Sequence, residues 1–308
     1  MTVLLRLFAL DGTSEDITDI LSFTFSKDFY TPYTKLSAVF KAGTTGKFDC
    51  KSALLFVNGQ AVHQGFIDTF KTETEGGFVR CSLVSRGYTS LYSENQLVPG
   101  LYTNISINSL MEDYVYIPYA DHENLTDPSY IYVKSGSNIW DGIVNAAYKL
   151  YGKYPYIRGC NYVMVNRYPT ARGFTYSTGE ILSKGSELDT RKMASFFSMA
   201  DINGNYGSYT YTEQEAVDRD IVRERYFELD RRFLYAPQQA VEFRDKMSVR
   251  GFRKEFFTYS GYKGEDLFDW ITAGGQNTDI TSVKITGSSK GIFTEIGTYK
   301  DKFANTAS

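Results

Sequence analysis

Residues 54–63 read Leu54-Leu55-Phe56-Val57-Asn58-Gly59-Gln60-Ala61-Val62-His63. An apolar run meets Asn-Gly, and a second run follows from Val62 to Phe70. Both central residues of a type I′ turn need positive φ, which Asn and Gly accept, so this is a strong β-hairpin signal. On its N-terminal side, Leu21, Phe23 and Phe25 alternate with Ser22, Thr24 and Ser26, the period of a strand with one buried face. Leu36, Ala38 and Phe40 repeat that pattern before Gly43, and Val3 to Leu10 forms a further strand closed by Asp11-Gly12. On the C-terminal side, Phe78, Arg80 and Ser82 alternate with Val79, Cys81 and Leu83 after the turn Glu75-Gly76-Gly77. Strands at this spacing predict a small barrel or sandwich over residues 1–100.

The composition agrees. Of 308 residues, 25 are Tyr and 22 Phe against 2 Trp, which favours half-buried pleated surfaces and contact surfaces between subunits. Basic and acidic residues, 33 and 36, are interleaved, so no basic stripe exists to track nucleic-acid phosphates. Cys50, Cys81 and Cys160 are odd in number and widely spaced, which fits reduced thiols in a cytoplasm better than a zinc site or a disulfide framework. The N-terminus lacks the apolar stretch of a signal peptide, and no run of apolar residues is long enough to span a membrane.

Residues 101–170 read as a small α/β module. Ser106, or alternatively Ser109, caps a short helix through Leu110, Met111 and Tyr114, and Tyr130 to Val133 is extended. Ser137 or Asn138 caps a second helix, in which Ile139, Ile143, Ala146, Ala147 and Leu150 share one face and Gly152 ends the run. Tyr162 to Val165 is a strand. Residues 171–308 return to β character with one helical interruption. Met193 to Met199 is helix or loop. The charged stretch Glu213 to Leu234 suits an exposed helix with pairs such as Asp220 with Arg223 and Glu224 with Arg231. Asp266 to Ile271 suits a helical turn, Ile280–Ile285 and Ile292–Ile296 form the last hairpin, and the tail from Phe303 is frayed.

Catalytic motifs are sparse. His63 and His122 lack partners at metal-ligand spacing and read as satisfied structural histidines. Gly185-Ser186 and Gly207-Ser208 lack the Gly-x-Ser-x-Gly surround of a nucleophile elbow. Glu112-Asp113, Asp121 with Glu123, and Glu265-Asp266 could supply a hydrolase with two acids, but adjacent acids on a strand face opposite ways. Asp201 to Asn205 opens like a calcium loop, yet Thr212 stands where the closing Glu belongs, so a turn is the better reading. No catalytic residue, cofactor or metal is assigned.

Two stretches carry a resemblance. Gln64-Gly65-Phe66-Ile67-Asp68 is followed by Phe78-Val79-Arg80-Cys81-Ser82-Leu83-Val84-Ser85-Arg86-Gly87-Tyr88, and by Leu91-Tyr92-Ser93-Glu94-Asn95-Gln96-Leu97-Val98-Pro99-Gly100. Tyr132-Val133-Lys134-Ser135-Gly136-Ser137-Asn138-Ile139-Trp140-Asp141-Gly142-Ile143 precedes Tyr162-Val163-Met164-Val165. They resemble the phage tail baseplate hub family (late control protein D-like proteins and the hubs of contractile injection systems), in the family's order. The resemblance implies a mainly β fold: two tube-protein-like β-barrels with a small α/β module between them. It implies a non-enzymatic structural protein of a virion or phage-tail-like particle, assembled in the bacterial cytoplasm. It further implies a homotrimer whose ring adapts the sixfold tail tube protein above to a threefold spike protein below, beside other baseplate proteins. Interface contacts are expected at Leu97, Pro99, Tyr102 and Trp140. Two alternatives compete: a tail-associated peptidoglycan hydrolase using acids such as Glu112 or Asp121, and a carbohydrate-binding β-module, which needs an exposed platform such as Trp140 or Trp270.

Overall fold

The computed structural model describes residues 2–42, 49–75, 77–273 and 276–304. The turn residues Gly43 and Gly76 and the last four residues lie outside them. The fold is mainly β, with 47% strand and 16% helix, as the aromatic-rich composition implies. At the founding hairpin Asn58 and Gly59 take φ of 53° and 77°, and Val57 pairs with Gln60, as a type I′ turn demands. Leu5, Leu7 and Ala9 are buried along Val3–Ala9, as are Leu36, Ala38 and Phe40 along Lys35–Ala42.

One curled antiparallel sheet of eleven strands runs through both β-rich thirds. Its order is Ile181–Leu188, Arg253–Ser260, Gly291–Tyr299, Ser282–Ser288, Ile20–Asp28, Lys35–Ala42, Phe78–Gly87, Gln60–Glu75, Cys50–Val57, Val3–Ala9 and Ser14–Ile17. The seam between the thirds is the ladder from Ser282↔Asp28 to Gly287↔Phe23. At its end the Phe23 ring lies over Gly287, where a Cβ would come within 2.1 Å of a ring carbon. Glycine there lets the two thirds close up.

The middle segment packs helices Ile107–Glu112 and Ile139–Tyr151 beside the ladder Gly100–Ile105 with Ser129–Val133. Ser106, not Ser109, caps the first helix, accepting from the Ser109 amide at 3.0 Å. Asn138 and Asp141 form a capping box on the second, and Gly152 ends it at φ 68°. Ile139, Ile143, Ala146 and Ala147 are buried as their spacing implies. Lys27 bonds both the Gly159 carbonyl and Asp266, while Arg158 bonds Asp269 and the Leu267 carbonyl, tying this segment to the sheet.

The last third differs from expectation in detail. Phe196–Met199 is a strand, central in a three-stranded sheet with Tyr209–Thr212 and Glu224–Phe227. Residues 213–234 are not one helix but the short helix Gln214–Val217, that strand and a 3-10 turn at Arg231–Phe233. Their charges serve turns: Arg232 pairs with Asp230, and Arg223 donates to the carbonyls of Thr190, Arg191 and Met193. The long helix is instead Pro237–Ser248, with Pro in its first turn. The turn expected over Asp266–Ile271 is confined to its first residues, where the Asp269 amide donates to the Asp266 carbonyl at 3.2 Å, and Trp270–Ala273 is a strand. Nor is Phe303 frayed: it is 1% exposed and packs on Tyr154 and Tyr148, with ring centroids 5.4 and 6.1 Å away. Asp301 holds the turn before it, accepting from Tyr30 Oη (2.6 Å), the Gly251 amide (2.7 Å) and the Phe303 amide (3.0 Å).

Candidate assembly surfaces

The sheet has unpaired edges, and they are unequal. Ser14–Ile17 is four residues long and carries the Arg6–Asp16 ion pair, a short charged edge of the kind that discourages pairing. Ile181–Leu188 is twice that length, has Arg253–Ser260 as its sole sheet neighbour, and is exposed from Leu182 to Leu188. Leu182 and Leu188 are each half or more exposed.

A third edge opens within Gln60–Glu75. Its ladder to Cys50–Val57 stops at Phe66↔Ser52, while its ladder to Phe78–Gly87 continues to Glu75↔Phe78. The register shifts between Ile67 and Thr69, so Asp68 sits in a bulge where the strand parts from one neighbour. Bulges bend and twist a strand, and this one is clamped by Arg86, which bonds both Asp68 oxygens at 2.7 and 2.8 Å and also Glu94. Beyond it, among the described residues, the strand has Phe78–Gly87 as its one ladder partner. The open edges thus sit at the two ends of an eight-strand arc from Ile181–Leu188 to Gln60–Glu75. Sequence reading missed both, because Leu182-Ser183-Lys184-Gly185-Ser186 has no buried face and hence no period-2 signal.

The four expected interface residues divide. Leu97 and Trp140 lie inside the protomer, at 3% and 5% exposure, and are unavailable to another subunit. Trp140 is on the first turn of Ile139–Tyr151, a helix buried along most of its length, so the core role prevails there. Pro99 is exposed and Tyr102 half-buried. Tyr102 donates to the Val98 carbonyl at 2.8 Å and meets Tyr114 edge-on at 5.7 Å. With exposed Val98 and Leu101 beside them, they form an apolar, aromatic surface.

Most of the acids considered for chemistry have structural partners. Glu112 bonds His122 Nε2 at 3.0 Å, and Asp121 accepts from the His122 amide at 2.8 Å. Glu123 accepts from the amides of Val165 and Asn166. Glu265 accepts from the hydroxyls of Tyr176 and Tyr259, and Asp266 pairs with Lys27. Asp201 holds a turn through the amides of Asn203 and Asn205. Among the described residues no cluster of three His, Cys, Asp or Glu is placed to hold a metal.

No protein-family model and no curated protein matches the sequence. Solved structures do match. The tail protein from Neisseria meningitidis superposes with a TM-score of 0.73 at 14% identity, covering 100% of this chain and 99% of that one. The chain has the phage tail-protein fold. A prophage MuSo2 tail protein from Shewanella oneidensis gives 0.70 at 11% identity, over 100% and 99%. An Escherichia coli component of the type VI secretion system, itself structurally similar to T4 bacteriophage tail proteins, gives 0.56 at 8% identity, over 97% and 80%. The tail-protein fold therefore extends along the whole chain at identities where fold is the only common property.

Proposed function

We propose that the chain is a structural, non-enzymatic hub subunit of a phage-type tail baseplate. It forms a homotrimeric ring between a sixfold tail tube and a threefold spike, in a virion or tail-like particle assembled in the bacterial cytoplasm. The observation that carries this reading is the eight-strand arc, in which, among the described residues, Ile181–Leu188 at one end and the outer half of Gln60–Glu75 at the other each have a ladder on one side. The two edges are different surfaces, so copies joining through them meet head to tail, a contact that closes into a ring when the rotation fits. Ring closure covers strand edges that would otherwise recruit any extended chain. Two β units per protomer, repeated three times, give six similar units, which suits an adaptor between sixfold and threefold parts. The fold shared with tail proteins supports the same reading, as does the structural use of the acids a hydrolase would need.

Light scattering on the purified chain, with and without tube and spike proteins, tests it. Adjacent strand residues direct their amides to opposite sides, so of Ser183→Pro and Lys184→Pro one removes an internal ladder bond and the other only an outward donor. The outward variant should keep the protomer's melting temperature and lose the trimer. A monodisperse monomer at high concentration that ignores both partners would remove the hub reading.

A further inference from the structure

We infer that the groove around Trp270 binds a neutral oligosaccharide, a site independent of the hub reading. Trp270 opens the strand Trp270–Ala273, which runs parallel to Gly173–Tyr176 with Gly173 directly opposite Trp270. The indole lies across that glycine: a Cβ at position 173 would stand 2.0 Å from the indole Cζ2. One part of the ring therefore rests on neighbouring backbone, while the side chain stays 39% exposed, the posture of a fixed platform.

The platform borders an open groove of about 590 Å³, within the size range of small-ligand sites. Asn277, Asp279, Arg167 and Lys300 also line it. Three of these are planar groups able to engage neighbouring hydroxyls two at a time, as vicinal sugar hydroxyls require. Each charge has a partner: Arg167 pairs with Asp279 at 2.5 Å inside the groove, and Lys300 pairs at 3.5 Å with Glu255, which lies outside it. A groove of paired charges favours an uncharged polar ligand over a phosphate or a cation. An aromatic face among such groups suits a pyranose, which has apolar C–H on its faces and hydroxyls around its rim. Gluco-configured rings, with every hydroxyl equatorial, offer the flattest apolar face, so the ligand class is a gluco-configured oligosaccharide.

The test uses the chain's own fluorescence, because it has only 2 Trp and Trp140 is buried. Chitotetraose and cellotetraose are titrated into the full chain, reading emission and heat of binding, with light scattering to follow assembly. At least one should shift the emission, with the shift kept in Trp140→Phe and lost in Trp270→Ala. Asn277→Ala, at an exposed position, should weaken binding about tenfold, the loss expected when one hydrogen-bonding group is removed. Neither sugar giving heat or an emission change up to about 10 mM, below the weakest useful affinity, overturns the site. So does a shift that persists in Trp270→Ala, or tighter binding of a sulfated analogue. Trimer formation unaffected by Trp270→Ala keeps this result separate from the hub question.

Discussion

His63 has both ring nitrogens engaged in the interior, Nδ1 with Thr34 Oγ1 and Nε2 with Ser85 Oγ, each at 2.8 Å. Ser85 donates its proton to the Phe66 carbonyl at 2.7 Å, so it accepts from Nε2–H, and Nδ1 accepts from Thr34. Burial pushes the imidazole down to about 3. A depressed base is neutral when folded, so its contribution is intact above the unfolded value near 6.5 and is lost as pH falls towards the folded value. The stability difference between wild type and His63→Asn, from urea midpoints, should shrink below pH 6.5, approaching about 1.4 kcal/mol per pH unit. A difference constant from pH 7 to 5 would contradict this. The structural role of His63 was legible from its place in a strand without a partner motif. Its two hydroxyl partners were not, because Thr34 and Ser85 reach it only once the sheet curls.

Helix Ile139–Tyr151 shows what local sequence settles. Its cap, apolar face and stop are all written within the segment itself, and each is in place. Asn138→Ala removes the acceptor for the Asp141 amide and should cost about 1 kcal/mol. Gly152→Ala, at positive φ, should cost about as much. Chemical denaturation with unchanged helix content would check both; a loss under about 0.3 kcal/mol in each would mean that tertiary packing alone sets the helix ends. Helix Pro237–Ser248 shows the opposite case. Its buried apolar residues Ala240, Val241 and Phe243 share the helix with Gln, Glu, Arg and Lys and with a buried Asp245, leaving a weak apolar stripe. The richer charge pattern upstream drew the helical reading, while its Asp and Arg residues in fact anchor turns two residues apart. Period-based reading cannot tell an ion pair along a helix from one across a turn.

Across the whole molecule, one hydrophobic cluster joins Leu5 of the first strand to Ile285 of the seam, Phe243 of the late helix and Phe303 near the end. Lys302 bonds both Glu213 and Asp245, and Phe303 packs on Tyr148 and Tyr154, so the C-terminal turn ties the short helix Gln214–Val217, the late helix and the middle segment together. Phe303→Ala should therefore cost about 3–5 kcal/mol, the range for emptying a buried aromatic site. Calorimetry should show one shifted transition; two resolved transitions would mean the thirds unfold separately. Mainly β character and the order of segments were readable beforehand. The seam was not, because Ser282 and Asp28 are paired across almost the whole chain and no local pattern encodes such a partner. The open edges escaped notice for a related reason: an edge is defined by a neighbour that is missing.

The Asp68 bulge carries a geometric burden out of proportion to its size. In the annulus proposed above, the count of identical segments is fixed by the angle each one subtends, and no contact within a single chain sets it. That angle accumulates from strand twist, and it is altered wherever an extra residue is inserted, as at Asp68, which Arg86 pins. In the proposed ring, removing the insertion would open or tighten the arc by the same increment at each joint, and a closed circle would become a coil that never meets its own beginning.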